Sequence, residues 1–133
     1  MRTVFLDTVG LLALWDEDDQ WHPQAERAMT LLLQAPCLLV SSSLVALECG
    51  NAAARTPYRQ QVVDFREELA RNGHLLVPTR VDEELAWANY RQGSAGQPGI
   101  VDHVSFLLMR RHQITQAFTN DRHFLAAGFE ILF

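Results

Sequence analysis

The chain contains no lysine: all eleven basic residues among its 133 are arginine. That excludes every mechanism that needs an amine, such as a GxxxxGK phosphate loop, a Schiff base, or a receiver domain pairing its phosphoacceptor with lysine. Cysteine is nearly as scarce. Cys37 and Cys49 are the only two, and they are expected as reduced, buried thiols rather than as a disulfide. No apolar run approaches the roughly 18–20 residues that cross a bilayer. The opening MRTVFLDTVG carries Arg2 and Asp7 in its apolar stretch and lacks a small-residue cleavage site, so a cytoplasmic protein is expected rather than a secreted one. Positive charge is also in deficit: eleven arginines face sixteen acids, for a net charge of −5. That argues against a broad basic face for nucleic acid. It leaves open an enzyme that meets phosphate through a bound cation, which reverses the local sign.

What is present suits one globular domain over residues 1–133. The hydrophobic fraction is 48% and the charged fraction 20%, near the average for folded domains. Short apolar runs alternate with helical patterns, which predicts an α/β fold with a central, mostly parallel β-sheet flanked by helices. Strands are expected at Thr3–Leu6, Cys37–Val40, Leu75–Val77, Ile114–Phe118 and from Phe129. Helices are expected from Thr8 to Trp15, from Pro23 to Leu33, from the Ser41–Ser43 caps to Ala54, from Pro57 towards Gly73, over Val81–Tyr90, over Ile100–Arg111 and over Asp121–Ala127. Asp82, Glu83 and Glu84 then fall in a first helical turn, where the helix dipole favours them. Gln92–Gly99 is expected as a flexible loop.

Most acids sit in clusters or beside arginine and are expected on solvated surface. Four stand apart: Asp7, Glu48 and Asp102 are each the only charge in a long stretch, and Asp121 follows the uncharged run from His112 to Asn120, counting histidine as neutral. A buried carboxylate must be protonated, hydrogen-bonded, paired or metal-bound. Asp7 follows the first strand, Asp121 follows a later strand, and Asp102 begins a helix. These are the positions where an open parallel sheet collects its site. Taken singly, Asp7 and Asp121 suit helix N-caps and Asp102 a dipole partner. Glu48, at mid-helix, has no such role. Convergence of four acids calls for a hard cation, Mg²⁺ or Mn²⁺, able to activate water and stabilise charge on a phosphodiester.

The segments FLDTVGLLAL, SSSLVALECGNA and above all VDHVSFLLMRRHQITQAFTNDRHFLAAGF resemble the PIN-domain family, and within it the VapC-type ribonuclease toxins of toxin–antitoxin pairs. The resemblance runs nearly end to end. It implies a metal-dependent endoribonuclease that hydrolyses RNA in line and leaves a 3′-hydroxyl and a 5′-phosphate. It implies Asp7, Glu48, Asp102 and Asp121 as the acidic quartet, with Asp7 and Asp102 as direct ligands of Mg²⁺ or Mn²⁺. Thr8 and Thr119 match supporting hydroxyl positions. A homodimer and a small inhibitory antitoxin are implied as partners. The chain departs from the family at Val9, where a small polar residue is common, and at Gly99, where a serine often precedes the third acid.

Two other functions are compatible with such a chain: a PIN nuclease of RNA processing without an antitoxin, and a non-catalytic PIN binding module. The latter is expected to lack an acid, and all four are present. Five histidines show no zinc spacing, and only His103 and His123 lie near the acids in sequence. Arg55, Arg59, Arg91, Arg110, Arg111 and Arg122 are potential backbone contacts, though solvated helix faces are the simpler expectation. Trp15, Trp21 and Trp87 are expected in core or interface. Val62, Phe65 and Leu69 are expected to offer a dimer or antitoxin groove.

Overall fold

A computed structural model describes residues 1–133. The order along the chain is β1 (Arg2–Leu6), α1 (Thr8–Trp15), α2 (His22–Leu32), β2 (Cys37–Ser42), α3 (Ser43–Ala53), α4 (Arg59–Arg71), β3 (Leu75–Leu76), α5 (Arg80–Arg91), α6 (Ile100–Arg111), β4 (Gln116–Phe118), α7 (Arg122–Ala126) and β5 (Glu130–Ile131). The five strands form one sheet in the order β3-β2-β1-β4-β5. Every pairing is parallel, so the sheet is wholly rather than mostly so.

β1 is central because Val4, Phe5 and Leu6 form an unbroken apolar run, which suits a strand covered on both faces. All three are buried. From β1 the chain first builds outward through β2 and β3, then returns to add β4 and β5 on the other side. The strand order therefore reverses between β1 and β4, and the crevice beyond their carboxyl ends is the expected ligand position in such sheets.

Two close fits set the walls of that crevice. A Cβ on Gly10 would lie 2.1 Å from the Phe118 carbonyl oxygen, so only glycine lets α1 rest on the end of β4. Ser41, fully buried in β2, donates to the Leu6 carbonyl at 2.6 Å and ties β2 to the end of β1. Below the crevice, Phe106 of α6 meets Phe124 of α7 edge-on at 4.9 Å between ring centres, a favourable aromatic arrangement.

Several sequence expectations shift. Ser41 and Ser42 belong to β2, and only Ser42 caps α3, accepting from the Val45 amide. The helix expected from Pro57 starts at Arg59 after a turn. β4 begins two residues later than expected, because Gln113 takes a positive φ of 58° and the Ile114 amide turns back to the Met109 carbonyl. Of the residues expected to offer a groove, Val62 and Leu69 are buried and Phe65 meets Trp15 edge-on, while Val62 and its exposed neighbour Val63 line a cleft between α3 and α4. Both cysteines are free, with Cys49 buried and Cys37 partly so.

Candidate metal centre

The sequence places Asp7, Asp102 and Asp121 where helices begin; Asp7 and Asp121 are N-caps, and Asp102, in the first turn of α6, bonds back to the Gly99 cap. Asp7 accepts from the Val9 amide at 3.4 Å through Oδ2. Asp121 accepts from the His123 amide at 2.9 Å through Oδ1. Asp102 accepts from the Gly99 amide at 3.2 Å through Oδ2. Capping explains why a carboxylate sits at each position. It does not explain why they share one crevice.

Thr119 links two of them. Its buried hydroxyl donates to Asp7 Oδ2 at 2.8 Å and accepts from the Asp121 amide at 3.0 Å. Thr8 plays the parallel part for Glu48, donating to Oε1 at 2.6 Å. Ligating atoms of Asp102, Asp121 and His123 all lie within 4.8 Å of one another. Asp7 feels the charges of Asp102 and Asp121, and Asp102 feels those of Asp121 and Glu48.

A regularity emerges from these contacts. Each of the four carboxylates commits one oxygen to the protein and leaves the other without a donor: Asp7 Oδ1, Glu48 Oε2, Asp102 Oδ1 and Asp121 Oδ2. None pairs with arginine. The result is electrostatic tension. Burial, followed by the charges of Asp102 and Asp121, pushes Asp7 up to about 7 despite its bond from Thr119. Burial and then Asp121 push Asp102 up to about 6. Four carboxylate oxygens that no protein donor engages have the chemistry of ligands for a hard divalent ion.

Glu48 differs from expectation. It is exposed at the rim rather than buried. His103 turns away from the acids and stacks edge-on with Tyr90 and Phe106. His123 is drawn into the site more closely than its spacing suggested. Its Nδ1 lies 3.0 Å from Asp121 Oδ1, and its Nε2 lies 2.9 Å from the Gly96 carbonyl. The Gly96 bond, first of its influences, raises its pKa. The signal was available in sequence: an N-cap Asp followed two residues later by His lets one carboxylate meet both the amide and the ring.

Asp82 corrects a second expectation. It is not a solvated first-turn acid but is 1% exposed. Arg111 grips it with both terminal nitrogens, one at 2.9 Å. Thr79 completes a reciprocal capping box with it. The Thr79-x-x-Asp82 spacing announces the box, whereas nothing local points to Arg111. Of the other arginines, Arg110 donates to the Ala127 carbonyl and lies over the Phe129 ring at 5.3 Å, and Arg59 donates to the Ala54 carbonyl. Arg55, Arg91 and Arg122 are exposed and unpaired.

A sequence profile of the PIN domain matches residues 4–130. No curated protein sequence matches. Among solved structures the chain is similar to VapC20 of Mycobacterium tuberculosis, a toxin that cleaves the sarcin-ricin loop. The two are 28% identical, the match covers 95% of each chain, and the TM-score is 0.75. With acids gathered at the switch point of a five-stranded parallel sheet and a profile spanning nearly its whole length, the chain belongs to the PIN-domain family.

Proposed function

We propose that this chain is a metal-dependent endoribonuclease that hydrolyses RNA phosphodiester bonds as the toxin of a toxin–antitoxin pair, acting in the cytoplasm. One observation carries the chemistry: Asp7, Glu48, Asp102 and Asp121 each present a carboxylate oxygen that nothing in the protein satisfies. Such a set suits Mg²⁺ or Mn²⁺ over a nitrogen- or sulfur-seeking metal. A bound ion of this kind stabilises charge developing on a phosphodiester and makes a water more acidic. The rest falls to the chain's own residues. Asp7 and Asp102 would hold the ion, with Asp121 and Glu48 completing its surroundings directly or through water. Thr119 and Thr8 fix the Asp7 and Glu48 carboxylates by donating to one oxygen of each. Glu48, at the exposed rim, faces the side from which water and RNA arrive.

The likeness to VapC20 supports RNA as substrate and a toxin role. Partner surfaces are available. Leu47 and Val63, both well exposed, border a cleft of about 320 Å³ between α3 and α4, and Val81 and Leu85 are exposed along α5. A homodimer and a small antitoxin would cover faces of this kind.

The test is incubation of the purified chain with total cellular RNA and Mn²⁺, followed by mapping of the new ends. Discrete cuts bearing 5′-phosphate and 3′-hydroxyl, abolished by chelator, are expected. Full activity in excess chelator, or 2′,3′-cyclic phosphate ends that indicate histidine acid–base chemistry, would overturn the metal mechanism. If the chain is a toxin, a small protein encoded beside it is expected, and co-expression with that protein should suppress cleavage.

A further inference from the structure

The loop Gly93–Gly99 joins α5 to α6 beside the acids. Between Ser94 and Pro98, the one hydrogen bond that leaves the loop is that from His123 Nε2 to the Gly96 carbonyl, at 2.9 Å. The next tie is the Gly99 amide to Asp102. Both anchors are residues of the acidic site, so the loop is attached to the protein through that site. Gly96 turns the loop with φ of 88°. The amides of Ser94, Ala95 and Gly96 donate to nothing in the chain.

Together with Tyr90, this loop encloses an open cleft of about 370 Å³. Tyr90 is 45% exposed. Trp87 and His103 brace its ring edge-on at 5.4 and 6.3 Å, and its hydroxyl makes no bond within the chain. The cleft thus combines a braced aromatic ring, free backbone donors and the polar side chains of Ser94 and Gln97. It has no arginine to hold a phosphate and too little apolar lining for a peptide helix.

The geometry points to this cleft as a nucleobase subsite. A base near the scissile phosphate stacks on Tyr90, and its edge meets the loop's free amides. The inference rests on the ribonuclease reading and adds to it a determinant of which RNA position is cut. Stacking on an aromatic ring tolerates any base, while the loop donors discriminate among base edges. The loop's attachment through His123 and Asp102 holds the subsite in register with the acids.

The test uses a synthetic RNA spanning a mapped cleavage position, with an abasic nucleotide placed in turn at each flanking site. For the wild-type chain, one abasic position is expected to lower kcat/KM about tenfold, mainly through KM. Tyr90→Ala should cut intact RNA as poorly as the wild-type chain cuts that abasic RNA, and should respond no further to the lesion. Tyr90→Phe, which keeps the ring, should retain the wild-type profile. An unchanged abasic profile in Tyr90→Ala overturns the subsite and leaves the nuclease reading intact. Absence of any metal-dependent cleavage by the wild-type chain overturns the nuclease reading and the subsite with it.

Discussion

Two buried aspartates in this molecule meet opposite fates. Asp82, between α5 and α6, is gripped by Arg111 and capped by Thr79, and the guanidinium holds its carboxyl well below the usual range. Asp7, at the mouth of the sheet, is 2% exposed, has no arginine partner, and is pushed up to about 7 by its burial. Burial is equally severe at both. The protein supplies the counter-charge at one and withholds it at the other. The fold satisfies its structural acid completely and leaves one oxygen of each of four others without a protein donor at the topological switch point, which is the contrast behind the proposed metal site.

The comparison breaks most sharply in activity. Asp7→Asn keeps the acceptor for Thr119 and the helix cap but removes the charge, so metal-dependent cleavage should fall by at least about a hundredfold. Circular dichroism should show an unchanged fold. An active Asp7→Asn enzyme would remove Asp7 from the site.

Next in size is the structural acid. Arg111→Met leaves Asp82 buried without its partner and should destabilise the protein by about 3 kcal/mol in urea titration. In the metal-free protein at pH 8, Asp7→Asn should cost nothing or stabilise, because it removes an uncompensated charge. If the two substitutions destabilised equally, the contrast between the regions would be false.

pH sharpens the comparison further. Asp7 and Asp102 have folded pKa values near 7 and 6, raised above the ordinary 3.8. Between those limits the native state binds more protons than the unfolded one, so their contribution to stability falls as pH rises from about 4 to 7. Asp82 is lowered instead, so its contribution is lost only as pH drops below about 4. In chelator, thermal unfolding should therefore occur at a lower temperature at pH 8 than at pH 5.5. Mn²⁺ displaces the same protons, so its stabilising effect should be larger at pH 7.5 than at pH 5.5. A metal effect independent of pH would place the ion elsewhere.

The smallest expected effects concern the threonines. Thr119→Val removes the hydroxyl donor to Asp7 and leaves only the longer bond from the Val9 amide, so it should lower Mn²⁺ affinity about tenfold by calorimetry. Thr8→Val, whose partner Glu48 is exposed, should lower it less. The reverse order would make Glu48 the better-anchored ligand.

The legible part of the site was its charge pattern. An isolated acid in an apolar stretch is visible in one dimension, and Asp7, Glu48, Asp102 and Asp121 stood out for that reason. Less visible was what each acid touches. Glu48 looked buried because its neighbours in sequence are apolar, but it lies on the exposed side of α3. Asp82 looked solvated because Glu83 and Glu84 follow it, yet it is nearly inaccessible. His123 was two residues from an acid in sequence, but its bond to Gly96 reaches back across α6 and β4.

Local sequence set the alternation of strands and helices, the central buried strand and the positions of four acids without arginine partners, because hydrophobic periodicity and local charge are properties of neighbouring residues. Tertiary structure decided which acid received an arginine and which did not. That choice depends on contacts such as Arg111 with Asp82 or Thr119 with Asp7, made across 29 and 112 residues of chain. It follows from how helices pack on the sheet, where the Gly10 contact with Phe118 sets how closely α1 approaches β4, and no local pattern encodes it.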